Sequence, residues 1–315
     1  MNERTTRALN SKNNNIIHIP YGGYKNETSI NGVTIRQLTE KKGLDILHHR
    51  LGDGNRWAVG PIAGWDGLEF VYILKGSLSW KEKDTLKIAS IGDHLIMDPI
   101  LEDTLFKAIG ETEFLYISSD SMYDSVDEQV KEYMDLAVTV EEKDGYTADH
   151  CSRIKDLSMK VGEVMGLSSE AMLELNFGSF LHDIGKTKVP DRILNKPGKL
   201  SIEEYEEMKL HTIYGATLLK KTGIPILEKA STIVEQHHER YNGTGYPKGL
   251  KGDDISFLAN IVAVIDSFDA MTSVRVYSQG RPLESALEEI KKERGRLFHP
   301  EVVDAFLFIQ KKGEL

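Results

Sequence analysis

Leu181-His182-Asp183-Ile184-Gly185-Lys186 opens the stretch on which the reading of this chain turns. The stretch passes His211 and closes with His237-His238-Glu239 and Gly243-Thr244-Gly245-Tyr246-Pro247. Five of the ten histidines lie between His150 and His238, and the others are scattered. Imidazole and carboxylate together bind divalent first-row metals, and a water held by such ions can ionise near neutral pH. The residue types point to a metal-dependent hydrolase of a phosphate ester, with a small β domain in front of it.

His182 and Asp183 are adjacent, so on a helix they lie about 100° apart and can face one point only at the helix's end. Gly185 two residues later fits such an end. His150 sits near the start of a helix that opens around Tyr146-Thr147. Asp266 interrupts the apolar run Ile261-Val262-Ala263-Val264-Ile265. An acid in such a run needs a partner: a metal ion, or else a proton or an arginine. Ser201-Ile202-Glu203-Glu204 after the Pro197-Gly198 turn is a capping box that opens another helix. Ile255 to Thr272 reads as an apolar helix carrying Asp266 and Asp269, and two further helices run to the C-terminus.

Residues 16–119 have a different texture, with short alternating runs such as Phe70-Val71-Tyr72-Ile73-Leu74 and Phe114-Leu115-Tyr116-Ile117. Turn signals separate the runs at Asn31-Gly32, Gly52-Asp53-Gly54, Lys75-Gly76-Ser77 and Ile91-Gly92-Asp93. Many short strands at regular spacing imply a barrel or sandwich. Residues 1–15 are polar and read as a loose tail. Between the two textures, Val126, Val130, Met134 and Ala137-Val138 recur at helical spacing. That stripe over residues 120–145 fits a connecting helix that pairs with its copy in a homodimer, or equally one packed on its own domain.

The totals agree with two domains. A chain of 315 residues exceeds what one compact core usually needs, and 40% apolar with 28% charged residues is ordinary for a globular protein. A formal charge of −10 argues against binding a nucleic-acid polymer. The single cysteine, Cys151, excludes an intrachain disulfide framework. There is no run of 18 apolar residues and no apolar core for a signal peptide at the start, so a cytoplasmic protein without a membrane partner is expected.

Glu69 to Gly76, with the Gly92-Asp93 turn and Pro99, resembles the double-stranded β-helix of the cupin family. Gly64-Trp65-Asp66-Gly67-Leu68 carries none of the histidines that family places before its glutamate, and His94 and His48-His49 are out of register. The resemblance implies a sensory or dimerising β-barrel rather than a metal enzyme. Such a barrel either takes a small-molecule ligand or only stabilises the second domain.

His150, His182-Asp183 and Asp266, in that order on helices, resemble the HD superfamily of metal phosphohydrolases. HDIGK, KPGKL, His211, HHERYNGTGYP and DSFDAMTS together resemble its HD-GYP subfamily, which hydrolyses cyclic di-GMP. The resemblance covers residues 146–315 and implies an all-α HD-type helical bundle. It implies that His150, His182, Asp183 and Asp266 hold one divalent metal ion, while His211, His237 and His238 add a second, bridged by Asp183. Iron and manganese both suit this mixed set. His238 is the odd member, since neighbouring histidines on a helix diverge; a further ion or an outer role is its alternative. Asp183 and Lys186 are the implied catalytic groups, with Lys186 neutralising a phosphate oxygen as charge builds on it. Without the motif, Lys186 reads as a solvated lysine at a helix end. Gly245, Tyr246, Pro247, Asp269 and Arg275 are the implied substrate contacts, and Glu239 is expected either to have a structural role or to orient a histidine.

Departures from the subfamily pattern bear on specificity. Asn242 replaces the usual aspartate, and its amide can still cap the turn. Val276 and Ser278 replace a proline and a basic residue, which removes one phosphate contact. Tyr146 stands where some members carry an acid for a third metal, so two ions are expected. The expected activity is hydrolysis of cyclic di-GMP to linear pGpG and GMP. Another cyclic dinucleotide, a phosphomonoester, or a degenerate domain that only binds are the alternatives.

Overall fold

The computed structural model describes residues 9–10, 17–20, 22–30, 32–61, 67–82, 85–119, 127–145, 149–273 and 280–313. The chain divides into two compact units, Met1–Gln129 and Val130–Leu315.

Up to residue 119, the described elements of the first unit are β-strands. Its described strands are β1 (Leu9–Asn10), β2 (Ile17–His18), β3 (Asn26–Ile30), β4 (Val33–Lys41), β5 (Leu44–Leu51), β6 (Arg56–Val59), β7 (Glu69–Glu82), β8 (Thr85–Ser90), β9 (His94–Met97) and β10 (Thr104–Ser118). β1 and β2 pair with each other, so part of the expected tail is ordered as a two-residue ladder. The others form one antiparallel sheet in the order β3-β4-β5-β10-β7-β8, with β6 added on β10 and β9 on β7.

Lys75-Gly76-Ser77, expected as a turn between strands, lies instead inside β7. The sheet bends there: the β10–β7 register breaks between Ile109 and Glu113, and Gly76 and Gly110 both take positive φ. A side chain at Gly76 would run into the Glu111 carbonyl and Thr112, so the close crossing needs glycine. Bending lets both halves share one core, with Leu47, Val71 and Phe114 from one side and Leu78, Ala89 and Phe106 from the other. His49 is buried in that core, its ring stacked on Phe114 at 4.9 Å.

The second unit is helical: α1 (Asp127–Lys143), α2 (His150–Val164), α3 (Ser169–Phe180), α4 (Asp191–Leu194), α5 (Ile202–Lys209), α6 (His211–Lys220), α7 (Pro225–Gln236), α8 (Phe257–Thr272), α9 (Leu283–Lys292) and α10 (Pro300–Lys311). Short 3₁₀ turns occupy Ile184–Lys188 and Gly252–Asp254. Local signals set the starts. Ser168 caps α3, the Ser201/Glu204 capping box opens α5, and prolines occupy the first turns of α7 and α10. α8 runs through the centre, with Leu258 to Ile265 all buried, and packs on α2, α7, α9 and α10. The stripe of α1 is covered within the single chain, Val130, Met134, Ala137 and Val140 all being buried. Its Val140 joins Val189, Ile193 and Leu194 in one cluster. No described helix is long and apolar enough to cross a membrane.

Candidate metal centre

Helix ends converge on one carboxylate. α3 stops at Phe180, and His182 and Asp183 follow before the 3₁₀ turn, at the end where adjacent side chains can face one point. The turn packs against α6 because residue 185 is glycine: a Cβ there would land on the His211 carbonyl oxygen and the Gly215 nitrogen. Asp183 thereby reaches His211, the first residue of α6, with Oδ1 3.1 Å from His211 Nε2. The same Oδ1 is 3.6 Å from Nε2 of His237, which closes α7. Asp183 Oδ2 is 3.2 Å from His182 Nε2, which in turn is 4.0 Å from Asp266 Oδ1 on α8.

Asp183, His211, His237 and His238 form one grouping whose ligand atoms lie within 4.8 Å of one another; His150, His182 and Asp266 form a second. His238 therefore stands with His211 and His237. The helix ends at His237, which frees the next residue to turn the same way. A third grouping, Glu141, His150 and Asp183, brings in a carboxylate that the sequence reading missed. Tyr146, the position on which a third ion was discounted, lies outside the described residues.

The imidazoles are oriented from behind. Nδ1 of His182, His211 and His237 lies 2.9, 2.8 and 2.9 Å from the carbonyl oxygens of Ser179, Met208 and Val234. A carbonyl accepts only, so each Nδ1 donates and Nε2 carries the lone pair. The Nε2 atoms of these three residues and Asp183 Oδ1 are buried and make no hydrogen bond of ordinary geometry among the described residues. Buried lone pairs that converge without donors fit a cation. For His150 the orienting acceptor is Asp269 Oδ2, 2.8 Å from Nδ1, and Arg153 binds the same carboxylate through Nε at 2.7 Å.

The charge balance runs the same way. Burial works to raise the Asp183 pKa, yet Lys186 and His182 hold it well below the usual carboxylate range. Burial would lower His182, but Asp183, Asp266 and Glu141 raise it to about 9, so the carboxylates around this ring favour positive charge beside it. Burial pushes His237 and His238 below the ordinary imidazole value, with neighbouring imidazoles adding to it. Both stay neutral, the form that ligates metal.

The remaining expected residues fall in distinct places. Lys186 is 7% exposed rather than solvated, with Nζ 2.8 Å from Asp183 Oδ2. Tyr246 lies against His238, ring centres 4.8 Å apart, and its backbone nitrogen donates to the His238 carbonyl. Gly245 lets the loop fold this tightly, since a Cβ would meet the backbone of Glu239 and Arg240; Pro247 follows in the same loop, joined to Tyr246 by a cis peptide bond. Asn242 Oδ1 accepts from the Thr244 nitrogen, as an amide cap would. One expectation is corrected. Asp269 was read as a substrate contact, but it is 3% exposed and committed to His150, Arg153 and Ser273. Glu239 takes the structural one of its two expected roles: its two oxygens accept from the backbone nitrogens of Lys248 and Leu250. Arg275, Val276 and Ser278 lie outside the described residues.

Comparison with known proteins agrees with this geometry. The family model described as HD domain matches residues 128–302. The chain is 47% identical over 177 residues to a cyclic di-GMP phosphodiesterase of Thermotoga maritima, covering 56% of this chain and 48% of that protein. It is 35% identical over 272 residues to the cyclic di-GMP phosphodiesterase response regulator RpfG of Xanthomonas campestris, covering 78% of this chain and 72% of that protein. The chain thus spans about half the length of the first relative and somewhat more than two thirds of the second. An RmlC-like cupin from Shewanella frigidimarina is similar over 31% of this chain and 86% of its own, at 14% identity and a TM-score of 0.27. With the HD model matched over more than half its length, and with its histidine and aspartate pairs gathered beside the Gly-Tyr-Pro loop, the chain belongs to the HD domain family, in its HD-GYP branch.

Proposed function

We propose that this protein is a metal-dependent phosphodiesterase that opens the 3′–5′ phosphodiester of cyclic di-GMP to linear pGpG and on to GMP. The observation that carries the reading is Asp183, whose two oxygens each face a separate histidine set. Two relatives named as cyclic di-GMP phosphodiesterases support the substrate.

His150, His182, Asp183 and Asp266 would hold one divalent ion, and Asp183, His211, His237 and His238 the other, iron or manganese in each case. When bound, such ions supply the positive charge that polarises a phosphoryl oxygen and steadies an in-line displacement. The chain's own residues do the rest. Carbonyls behind His182, His211 and His237, and Asp269 behind His150, fix these four rings before substrate arrives. Lys186 offers an ammonium to the phosphate oxygen on which charge builds. Tyr246 and the loop Gly243 to Pro247 form one wall beside His238, and Arg275 is a further phosphate contact on the subfamily pattern.

The β unit is read as the regulatory domain, taking a small-molecule ligand, and α1 as the connection between it and the bundle. A cytoplasmic setting suits a nucleotide second messenger and a chain with one cysteine. The test is turnover: purified protein loaded with iron or manganese should convert cyclic di-GMP to pGpG, and Asp183→Ala should abolish this while the helical signal survives. Wild-type protein that holds two ions yet leaves cyclic di-GMP intact would overturn the substrate, and 3′3′-cGAMP in the same panel would show whether another cyclic dinucleotide takes its place.

A further inference from the structure

The end of α1 reaches the metal centre. Val130, Met134, Ala137 and Glu141 follow one another at three- and four-residue steps, so Glu141 continues the buried stripe of α1 as a carboxylate. It is 1% exposed. Its Oε1 lies 3.3 Å from Lys186 Nζ, and its Oε2, which takes no hydrogen bond among the described residues, is 3.7 Å from His150 Nε2. Asp144, one turn further on, receives the same ammonium at 2.5 Å. Asp183 Oδ2 lies 2.8 Å from the same ammonium.

Those three carboxylates are not equivalent once the site is loaded. Asp183 belongs to one ligand grouping and sets its Oδ2 3.2 Å from His182 of the other, so its charge would then be spent on the ions. Like charges at this range repel, and a lysine head on a flexible, strongly hydrated stem moves to water when nothing holds it. Glu141 and Asp144 lie outside those two ligand sets and keep their charge for the ammonium. We propose that Glu141 and Asp144 are positioning residues, which anchor the Lys186 ammonium beside Asp183 so that it meets a substrate phosphate. The proposal rests on the phosphodiesterase reading of the site. Both carboxylates ride on the end of one helix, the first to follow β10 in the chain, so a shift of α1 would withdraw them together.

The test is a double-mutant cycle in the full chain, with Glu141→Gln and Asp144→Asn on one side and Lys186→Met on the other. Three quantities are read: kcat and KM on cyclic di-GMP, calorimetric affinity for a non-hydrolysable phosphorothioate analogue, and ions per chain. The paired carboxylate substitutions should lower kcat/KM by at least about tenfold, and should change it less than about twofold in the Lys186→Met background. Ion content should hold. Effects that multiply in the Lys186→Met background would overturn the proposal. So would a third ion in the wild type that Glu141→Gln removes, since Glu141 would then be a ligand. Asp144→Asn alone repeats the test at a less buried position if Glu141→Gln fails to fold. Labelling of Lys186 by an amine acylating reagent needs no substrate: protection in the wild type and faster labelling in Glu141→Gln/Asp144→Asn are expected. Equal labelling refutes the anchoring, whereas a wild type with protected Lys186 but no analogue binding or turnover refutes the phosphodiesterase reading instead.

Discussion

Asp269 Oδ2 sits 2.8 Å from His150 Nδ1, and Arg153 donates to both oxygens of the same carboxylate. Burial would raise the Asp269 pKa, but these two partners depress it below the usual carboxylate range, so it accepts from the ring throughout the physiological range. Asp269→Asn keeps the shape and reverses the bond, because an amide can donate to Nδ1 and leave the proton on Nε2, where a cation must bind. Affinity for manganese, followed by calorimetry, should weaken by about 10–100-fold. Unchanged affinity would mean that Asp269 does not orient His150.

Gly185→Ala tests how Asp183 is brought to His211. The added methyl lands on the His211 carbonyl oxygen and the Gly215 nitrogen, both backbone atoms that cannot rotate away. The 3₁₀ turn and α6 must part, at a cost of about 1–3 kcal/mol or more. A lower melting temperature together with reduced metal content is expected; a variant with wild-type values for both would show that the close approach is dispensable.

Glu239→Gln addresses the Gly-Tyr-Pro loop. The carboxylate accepts from the backbone nitrogens of Lys248 at 2.7 Å and Leu250 at 3.0 Å, and an amide can accept only one of these while turning its own N–H groups on the other. Loss of one charge-assisted bond is worth about 1.5–3 kcal/mol. Hydrogen exchange at Lys248 and Leu250 should speed up at least about tenfold, with protection in α7 and α8 retained. Unaltered exchange at those two amides would contradict this role.

Part of this arrangement is legible in the sequence. Adjacent His182 and Asp183 had to sit at a helix end, and they do, because neighbours on a helix diverge. Asp266 in its apolar run and the Ser201 capping box were legible for similarly local reasons. The support behind the ligands was not. Arg153 lies three residues after His150, and Asp269 three after Asp266, so each stands one turn beyond a ligand on its own helix. That spacing was visible, but only the packing of α2 on α8 pairs the two. Glu141 was legible only as an acid in an apolar stripe, a signal as easily read as a solvated face. In the β unit, Phe70 to Leu74 and Phe114 to Ile117 looked like short strands, yet each belongs to a long strand that changes partner at a glycine bend. Long-range pairing of that kind leaves no mark on local alternation.

The β unit carries its own pH dependence. Burial, with His48 adding to it, drives the His49 pKa down to about 3, against about 6.5 in an unfolded chain. The unfolded state then binds a proton that the folded state refuses, so this contribution is complete above pH 6.5 and is lost as pH falls from 6.5 towards 3. At pH 5.5 the loss should be about 1.4 kcal/mol. Glu69, raised by burial, runs in the opposite sense, so the difference between wild type and His49→Phe isolates the histidine. All three tryptophans, Trp57, Trp65 and Trp80, precede residue 120, so their fluorescence follows this unit in the full chain. Denaturant midpoints for the two proteins should diverge between pH 7.5 and 5.5; parallel curves would mean that His49 can be protonated in the folded core.

The most direct measurement is the ion content of purified wild-type protein beside that of Asp183→Ala. One carboxylate serves both histidine sets, Oδ1 facing His211 and His237 and Oδ2 facing His182. The account predicts two divalent ions per chain in the wild type and loss of both in the variant, with its helices intact. An Asp183→Ala protein that keeps either ion would contradict it.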